Sequence, residues 1–227
     1  WGVASLSQDD EDFHPYHENW HYYHKDAAYH NGTVWLWNNG MAMQRMIEHN
    51  EYEKAWKLFK NMNHQALHLG AIGSLSENAD AIPRPGMKRG RLSGTFLQAW
   101  SNAEHLRIWY QYFLGLKPDM LNREIRISPR LPNEIKNLEY SIVAGKGSIN
   151  ALYDNNKNKY YEYKFNDIQT RIVFSLPAYD DIIVEIKEGW VLKVLESEKK
   201  INILVNNSQN VVESSFEVSV NPVKVTE

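Results

Sequence analysis

The chain has 227 residues, of which 43% are hydrophobic and 23% are charged, as is typical of a globular protein with one or two cores. Its formal net charge of −3 provides no basic stripe for a nucleic-acid backbone, and the absence of cysteine excludes disulfides and cysteine-based chemistry. No apolar run approaches the roughly 18 residues that cross a bilayer, and the first residues lack a signal-peptide pattern. We therefore expect no nucleic-acid or membrane partner. The compartment stays open, with a cytoplasmic location favoured.

The first predicted element is an aromatic, histidine-rich loop from His14 to His30, and a helix follows it. This helix is predicted to start near Thr33 and to end around His49-Asn50, because its apolar residues recur on one face. A second helix covers Tyr52 to Leu69 with the cleanest apolar stripe of the chain, and Gly70 stops it. The short connection predicts that the two helices are antiparallel neighbours, an αα-hairpin.

A third helix is predicted after a long loop that contains several Gly and Pro residues. Ser93 or Thr95 is its predicted N-cap, and Gly115 and Pro118 stop it. Its apolar residues recur at helical spacing, which predicts a stripe that packs into a core. This stripe consists of Leu97, Trp100, Ala103, Leu106, Tyr110 and Phe113.

From Ser141 onward the apolar periodicity changes to two, which predicts β-strands. Residues that favour turns separate the strands, and this spacing is typical of an antiparallel sandwich. We therefore predict two domains, a helical domain over residues 1–132 and a β-sandwich over residues 133–227. The segments predicted as strands are 159–165, 170–176, 182–186, 191–195, 201–205 and 216–220.

Three polar motifs lie at or near the starts of predicted helices, namely Ala28 to Trp37, Gly73 to Asp80 and Gln98 to Ser101. They combine aromatic rings with amide, imidazole and carboxylate groups. A pyranose has two apolar faces and a rim of hydroxyls, so a site that holds it needs both kinds of group. The motifs therefore predict a sugar-processing site.

In wording and order, the three motifs resemble the C-terminal part of the glycogen-debranching, amylo-α-1,6-glucosidase type of glycoside hydrolase. That family carries His-Asn-Gly-Thr-Val-Trp, then Gly-Ser-x-Ser-Glu followed by Asp, and then Gln-Ala-Trp-Ser at the start of a late helix. The resemblance covers roughly residues 1–132. It departs at Leu36, where the family often has Pro, and at Ser93-Gly94-Thr95, where a Gly-Cys pair is common. It implies the C-terminal portion of an (α/α) six-hairpin toroid. Together with the antiparallel β-sandwich that the later periodicity predicts, the expected fold class is an α+β multidomain fragment.

Glu77 is the predicted catalytic residue, because it matches the family's Ser-Glu position, which the resemblance implies is the general base of an inverting reaction. A glycosidase also needs a second carboxyl group that protonates the leaving oxygen. In the family this acid lies near an earlier Gly-Arg-Asp sequence, which this chain lacks, and Asp26 stands instead in the loop before the first motif. The resemblance therefore implies that the acid is upstream in a longer parent chain and that the isolated chain is inactive.

Five further residues are predicted to bind the substrate. His30 offers ring nitrogens to a sugar hydroxyl, and Trp35 is expected to present its ring to the sugar. Asp80 either orients the catalytic glutamate, binds a hydroxyl or has a plain turn role. Gln98 is expected to face the pocket, whereas Trp100 fits a pocket and a core equally well.

The histidine-rich loop also has spacings of three and four residues, which suit zinc if the segment is helical. Pro15 and closely set aromatic residues disfavour a helix, so we expect no metal and no cofactor.

The expected partners are an oligosaccharide or glucan substrate, and the upstream portion of the parent chain or a second copy. Two alternatives stay open: a non-catalytic carbohydrate-binding or complementing module, and a hydrolase of the same architecture that cleaves a smaller α-glycoside. The histidines of the histidine-rich loop considered as zinc ligands are His14, His17, His21, His24 and His30.

Overall fold

The computed structural model describes residues 2–177, 179, 181–196, 200–207 and 216–219. The chain divides into two compact units, Trp1–Phe113 and Leu114–Glu227. The first unit is mainly helical and the second consists of β-strands. Within the described residues, no helix is long and apolar enough to cross a membrane.

The first unit combines helices with one small antiparallel sheet, whose strands follow the order β1-β2-β3. Each strand of this sheet is only two residues long. The helices are α1 (Lys25–Tyr29), α2 (Leu36–Glu48), α3 (Tyr52–His68) and α4 (Ala99–Ile108), and a π-helical turn (Trp109–Phe113) follows α4. The strands are β1 (Val34–Trp35), β2 (Asn78–Ala79) and β3 (Leu92–Ser93).

The first two predicted helices correspond to α2 and α3. Helix α2 packs against both α3 and α4. Met43 and Ile47 of α2, together with Phe59 and Met62 of α3, are buried as the apolar spacing predicts. Gly70 follows α3 with φ +61°, a left-handed conformation that glycine adopts without the Cβ clash of other residues.

Helix α4 differs from the prediction in its cap and in its buried face. Gln98 occupies the N-cap, so the predicted caps Ser93 and Thr95 are wrong. The buried residues of α4 are Ser101 and Ile108, whereas most of the predicted apolar stripe is exposed to solvent. A hydrogen bond helps to explain which face of α4 is buried. The side chain of Asn102, next to Ser101, accepts the main-chain N–H of Leu75 at 2.9 Å, and this bond turns that side of the helix inward. The exposed apolar residues are Leu97, Trp100, Leu106 and Tyr110.

The second unit contains two sheets. One sheet has the order β10-β9-β5-β4 and the other has the order β13-β12-β11-β8-β7-β6. In the six-stranded sheet all neighbours are antiparallel, whereas β5 and β9 of the four-stranded sheet are parallel. The strands are β4 (Leu116–Asp119), β5 (Glu124–Ile127), β6 (Asn137–Ala144), β7 (Gly147–Asp154), β8 (Lys159–Asn166), β9 (Thr170–Phe174), β10 (Ile182–Ile186), β11 (Trp190–Glu196), β12 (Lys200–Asn207) and β13 (Phe216–Ser219).

The predicted strand segments correspond to β8 to β13. Strand β9 ends at Phe174, two residues before the predicted end at Leu176, and Val220 lies outside the described residues. Strands β4 to β7 were not among the predicted segments. The inner faces of the two sheets meet through aromatic rings: Phe174 of β9 lies 5.9 Å from Tyr161 and 6.1 Å from Tyr163 of β8, between ring centroids. Because β5 pairs with β9, residues 114–132 are compact with the later strands. An independently folding domain over residues 133–227 stays a prediction.

Candidate active site

The small sheet joins the first two polar motifs through their main chains. Trp35 of β1 pairs with Asn78 of β2, and Asn78 pairs with Ser93 of β3. Glu77 continues this pairing beyond the strand: its carbonyl accepts the N–H of Leu36 at 3.0 Å, and its N–H donates to Thr95 at 2.8 Å. The backbone of Glu77 is therefore fixed from both sides.

The third motif is attached to the same loop. The N–H of Gln98 donates to the carbonyl of Leu75 at 3.0 Å, which ties the start of α4 to the segment that precedes Glu77. Asn102 strengthens this attachment, because its side chain accepts the N–H of Leu75 at 2.9 Å and donates to the Ser74 hydroxyl at 2.8 Å. The three motifs of the sequence therefore meet around the Ser74–Glu77 segment.

The Glu77 side chain is partly buried and accepts two hydrogen bonds. The Tyr29 hydroxyl donates to Oε1, and the main-chain N–H of Thr95 donates to Oε2 at 3.3 Å. An ionised carboxylate has about four acceptor positions. Two therefore remain for a water molecule or a substrate hydroxyl.

Gly94 allows the carboxylate to lie where it does. Its φ of +70° is disfavoured for residues with a Cβ, and a Cβ built there would lie only 2.5 Å from Glu77 Oε2. Both the backbone conformation and the close approach therefore require glycine at this position. Gly94 belongs to the Ser93-Gly94-Thr95 segment, where this chain departs from the Gly-Cys pair that is common in the family it resembles.

Aromatic and imidazole rings pack around the ring of Tyr29, whose hydroxyl bonds to Glu77. The ring of Tyr29 lies 5.0 Å from His17 in a stacked arrangement and 4.4 Å from Trp35, and Trp35 in turn stacks on His30 at 5.5 Å. The indole N–H of Trp35 donates to the main-chain carbonyl of Tyr29 at 2.6 Å, which fixes the Trp35 ring. We call the set Glu77, Tyr29, His17, His30 and Trp35 the Glu77 cluster.

Tyr29 is held as a neutral phenol. Burial, and secondarily the hydrogen bond and the negative charge of Glu77, raises the pKa of Tyr29 to about 12. The hydroxyl is therefore a hydrogen-bond donor to the carboxylate throughout the neutral pH range. Tyr29 and His17 were not among the predicted site residues, although Tyr29 stands inside the first motif, directly before His30.

Asp80 has two firm partners of its own. Only 1% of its surface is exposed; Oδ1 accepts the N–H of His17 at 3.0 Å and Oδ2 accepts Arg84 Nε at 2.6 Å. It therefore anchors the histidine-rich loop, and through His17 it supports the Glu77 cluster. A direct bond from Asp80 to a sugar hydroxyl stays a prediction.

The two predicted residues of α4 lie in different surroundings. Gln98 is half-buried at the N-cap and its side chain makes no capping hydrogen bond. Trp100 is 52% exposed, which decides against a core role in this chain. Substrate binding by either residue stays a prediction. Among the described residues, no three His, Asp or Glu side chains come together as potential metal ligands.

Comparison with known protein families finds a match over the part of the chain that contains this site. No curated protein matches the chain. The family model of amylo-alpha-1,6-glucosidase matches residues 1–107, which include the whole Glu77 cluster, Asp80 and Gln98. The predicted resemblance over residues 1–132 is therefore supported up to the last turn of α4. Residues 1–107 of this chain are similar to the amylo-alpha-1,6-glucosidase family.

Proposed function

We propose that this chain supplies the general base of an inverting glycoside hydrolase that acts on an α-linked glucan, with a debranching α-1,6-glucosidase type of activity. The observation that carries the proposal is the environment of Glu77. Its carboxylate is fixed by the Tyr29 hydroxyl and the Thr95 N–H, in a segment similar to a glucosidase family. A fixed carboxylate with free acceptor positions is what a general base requires.

In the proposed reaction, Glu77 takes a proton from a water molecule while the water oxygen bonds to the anomeric carbon. The glycosidic bond breaks, and its oxygen leaves with a proton from a second carboxyl group. The two donors on Glu77 keep its oxygens aimed and prevent rotation of the carboxylate. This restraint supports the reaction because positioning contributes a large part of enzymatic rate enhancement.

The rings of the Glu77 cluster suit the substrate side of this reaction. Trp35 stacks on His30 and contacts Tyr29, so it backs the exposed His30 ring, whose nitrogens can bond to the hydroxyl rim of a pyranose. The Trp35 ring is locked by its bond to the Tyr29 carbonyl, so little side-chain entropy is lost on binding.

The general acid comes, in this proposal, from outside residues 1–227. Asp80 is the nearest carboxylate along the sequence, and each of its oxygens already accepts a strong hydrogen bond. The acid of an inverting enzyme lies about 6.5–9.5 Å from the base and donates a proton to the leaving oxygen, whereas both Asp80 oxygens are already occupied by N–H donors of the protein. The upstream portion of a parent chain is the proposed source, and the isolated chain is therefore expected to lack turnover.

The experiment uses a protein that contains these residues together with their natural upstream sequence. It compares a maltooligosaccharide carrying one α-1,6-linked glucosyl unit with linear maltotetraose, and proton NMR identifies the anomer that is released first. The proposal predicts preferential cleavage of the α-1,6 bond with β-glucose as the first product. Release of α-glucose would rule out inversion, and preferential cleavage of maltotetraose would rule out the debranching assignment.

A further inference from the structure

A second region of the first unit, outside the Glu77 cluster, forms a cleft of about 650 Å³. Its volume falls in the range of about 300–1,000 Å³ that is typical of small-molecule sites. Planar side chains dominate its walls, and among the described residues that line it none is Leu, Ile, Val or Met. We call it the aromatic cleft, and its main residues are Phe13, Tyr16, Asn19, Tyr22, Tyr23 and Arg84.

The aromatic rings of the cleft differ in how firmly the protein holds them. Tyr23 is fixed, because its hydroxyl donates to the Tyr16 carbonyl at 2.8 Å and its ring stacks on His14 at 4.5 Å. Tyr22 is 82% exposed and projects from the same loop, so its ring faces are open to a ligand. An aromatic side chain left this far in solvent gains free energy when a flat apolar surface covers it.

The charge of the cleft is balanced within the protein. Arg84 donates through Nε to buried Asp80 at 2.6 Å and through Nη2 to the Glu18 carbonyl at 2.9 Å. Its guanidinium is therefore compensated, and it covers one face of Tyr16 at 5.3 Å from the ring centroid. A cleft with open aromatic faces, an amide from Asn19 and a compensated cation suits a neutral polyhydroxylated ligand better than a phosphate or a carboxylate.

Asp80 connects this cleft to the Glu77 cluster. One carboxylate oxygen accepts the N–H of His17, whose ring stacks on Tyr29, and the other accepts Arg84 of the cleft. The cleft and the Glu77 cluster therefore share the Arg84–Asp80 ion pair, whose carboxylate is buried within the first unit. A long polymer that reaches Glu77 is a natural candidate for both.

We propose that the aromatic cleft is a secondary binding site for a stretch of glucosyl units, which holds an outer part of the same glucan that the Glu77 cluster acts on. The inference rests on the proposed function for its choice of sugar. Tyr22 supplies the stacking face, and Asn19 and Arg84 supply hydrogen bonds to ring hydroxyls. The lack of Leu, Ile, Val and Met among the described lining residues distinguishes the site from a groove for an apolar helix or a lipid chain.

The test measures binding of maltoheptaose to the 227-residue chain by isothermal titration calorimetry, with amide NMR to locate the bound sugar. The variants are Tyr22→Ala and Asn19→Ala in the cleft, with Tyr110→Ala as the control, since Tyr110 is also exposed but lies on the π-helical turn. Loss of one stacking face is expected to weaken binding by about threefold to tenfold. Tyr110→Ala is expected to bind as the unaltered chain does. Circular dichroism checks that each variant is folded.

Support for the proposal is a set of NMR shifts across residues 13–23 together with weaker binding by both cleft variants. Shifts confined to the Glu77 cluster, with unchanged affinity in Tyr22→Ala, would overturn the cleft and leave the proposed function intact. Absence of maltoheptaose binding would overturn the cleft as well, while the anomer experiment decides on the proposed function separately. A proline-rich peptide is the competing occupant of a tyrosine-lined groove. Shifts of residues 13–23 with decaproline but not with maltoheptaose would assign the cleft to that class instead.

Discussion

The hydroxyl of Tyr29 donates a hydrogen bond to Oε1 of Glu77, across a separation of 48 residues in the sequence. Tyr29 also stacks on His17 and contacts Trp35, so one side chain links the carboxylate to the aromatic wall beside it. Because the pKa of Tyr29, which burial raises to about 12, lies far above neutral pH, this link is a fixed hydrogen-bond donor and not a proton relay. Tyr29 is therefore a positioning residue for Glu77.

Replacement Tyr29→Phe removes the donor and keeps the ring. In a protein that includes the upstream sequence, we expect kcat to fall by about tenfold to a hundredfold with KM little changed, because the carboxylate loses one of its two restraints. Steady-state kinetics on the α-1,6-branched maltooligosaccharide measures both constants. The control Tyr110→Phe removes an exposed hydroxyl and should alter neither constant. A Tyr29→Phe protein with full kcat would show that the hydrogen bond has no positioning role.

Gly94 and Gly86 form a matched pair for testing the close approach to Glu77. Both have a positive φ, +70° and +81°, so alanine strains the backbone at each. A Cβ at residue 94 meets Glu77 Oε2 at 2.5 Å, whereas a Cβ at residue 86 meets no atom within 4 Å. We expect Gly94→Ala to displace Glu77 and lower the pKa of Tyr29 below about 12, because the hydrogen bond and charge of Glu77 are lost while burial remains, and Gly86→Ala to leave that pKa unchanged. Carbon-13 NMR of the tyrosine ζ carbons measures the pKa, and equal values in the two variants would contradict the contact.

His105 provides a prediction on pH dependence. Its Nε2 lies 2.7 Å from Asn63 Oδ1 and its ring stacks on Phe59 at 4.2 Å, and burial lowers the pKa of His105 to about 4. In the unfolded chain the residue takes up a proton near pH 6.5, so the unfolded state binds more protons between pH 6.5 and 4. Stability from this group is therefore present above pH 6.5 and is lost as the pH falls toward 4.

Urea unfolding at pH 7 and pH 5 measures this effect. His105→Phe keeps a ring against Phe59 and removes the titration, so its free energy of unfolding should fall less between the two pH values than that of the unaltered chain. Proton NMR of the His105 ring reports the pKa directly. A value at or above 6.5 would contradict the assignment.

The exposed apolar stripe of α4 predicts self-association of the isolated chain. Leu97 is 70% exposed, Trp100 52% and Leu106 56%, and apolar residues grouped in this way tend to find a partner. Sedimentation analysis should give a mass above the 26.5 kDa of one chain. Leu106→Glu should reduce the association, and Val143→Glu, at an exposed position in the second unit, should not. A monodisperse monomer at micromolar concentration would contradict the prediction.

The sequence predicted the elements whose apolar spacing is regular. Helices α2 and α3 and strands β8 to β13 follow from such spacing, because local periodicity and burial agree there. Helix α4 was placed correctly along the chain, but its buried face was not, since the apolar stripe that defined it faces solvent and Asn102 faces inward. The short strands β1 to β3 have no periodicity to detect at two residues each.

The candidate site was predictable in part for a similar reason. Glu77 stands out through its motif, and the aromatic motif around Trp35 identifies the neighbouring wall. The Tyr29–Glu77 bond and the role of Asp80 as partner of Arg84 depend on contacts between distant segments, which spacing alone does not reveal. Gly94 carries a signal only once its φ and the position of Glu77 are known.

The central claim, that Glu77 is a general base, is tested most directly by Glu77→Gln in a protein that includes the upstream sequence. We expect turnover to fall by at least about a hundredfold with substrate affinity nearly unchanged, because the amide cannot accept the proton of water. Azide needs no deprotonation, so adding it should partly restore bond cleavage and yield a β-glucosyl azide. The control Glu188→Gln, at an exposed position of the second unit, should keep full turnover. Retention of more than about a tenth of the original turnover by Glu77→Gln would contradict the account.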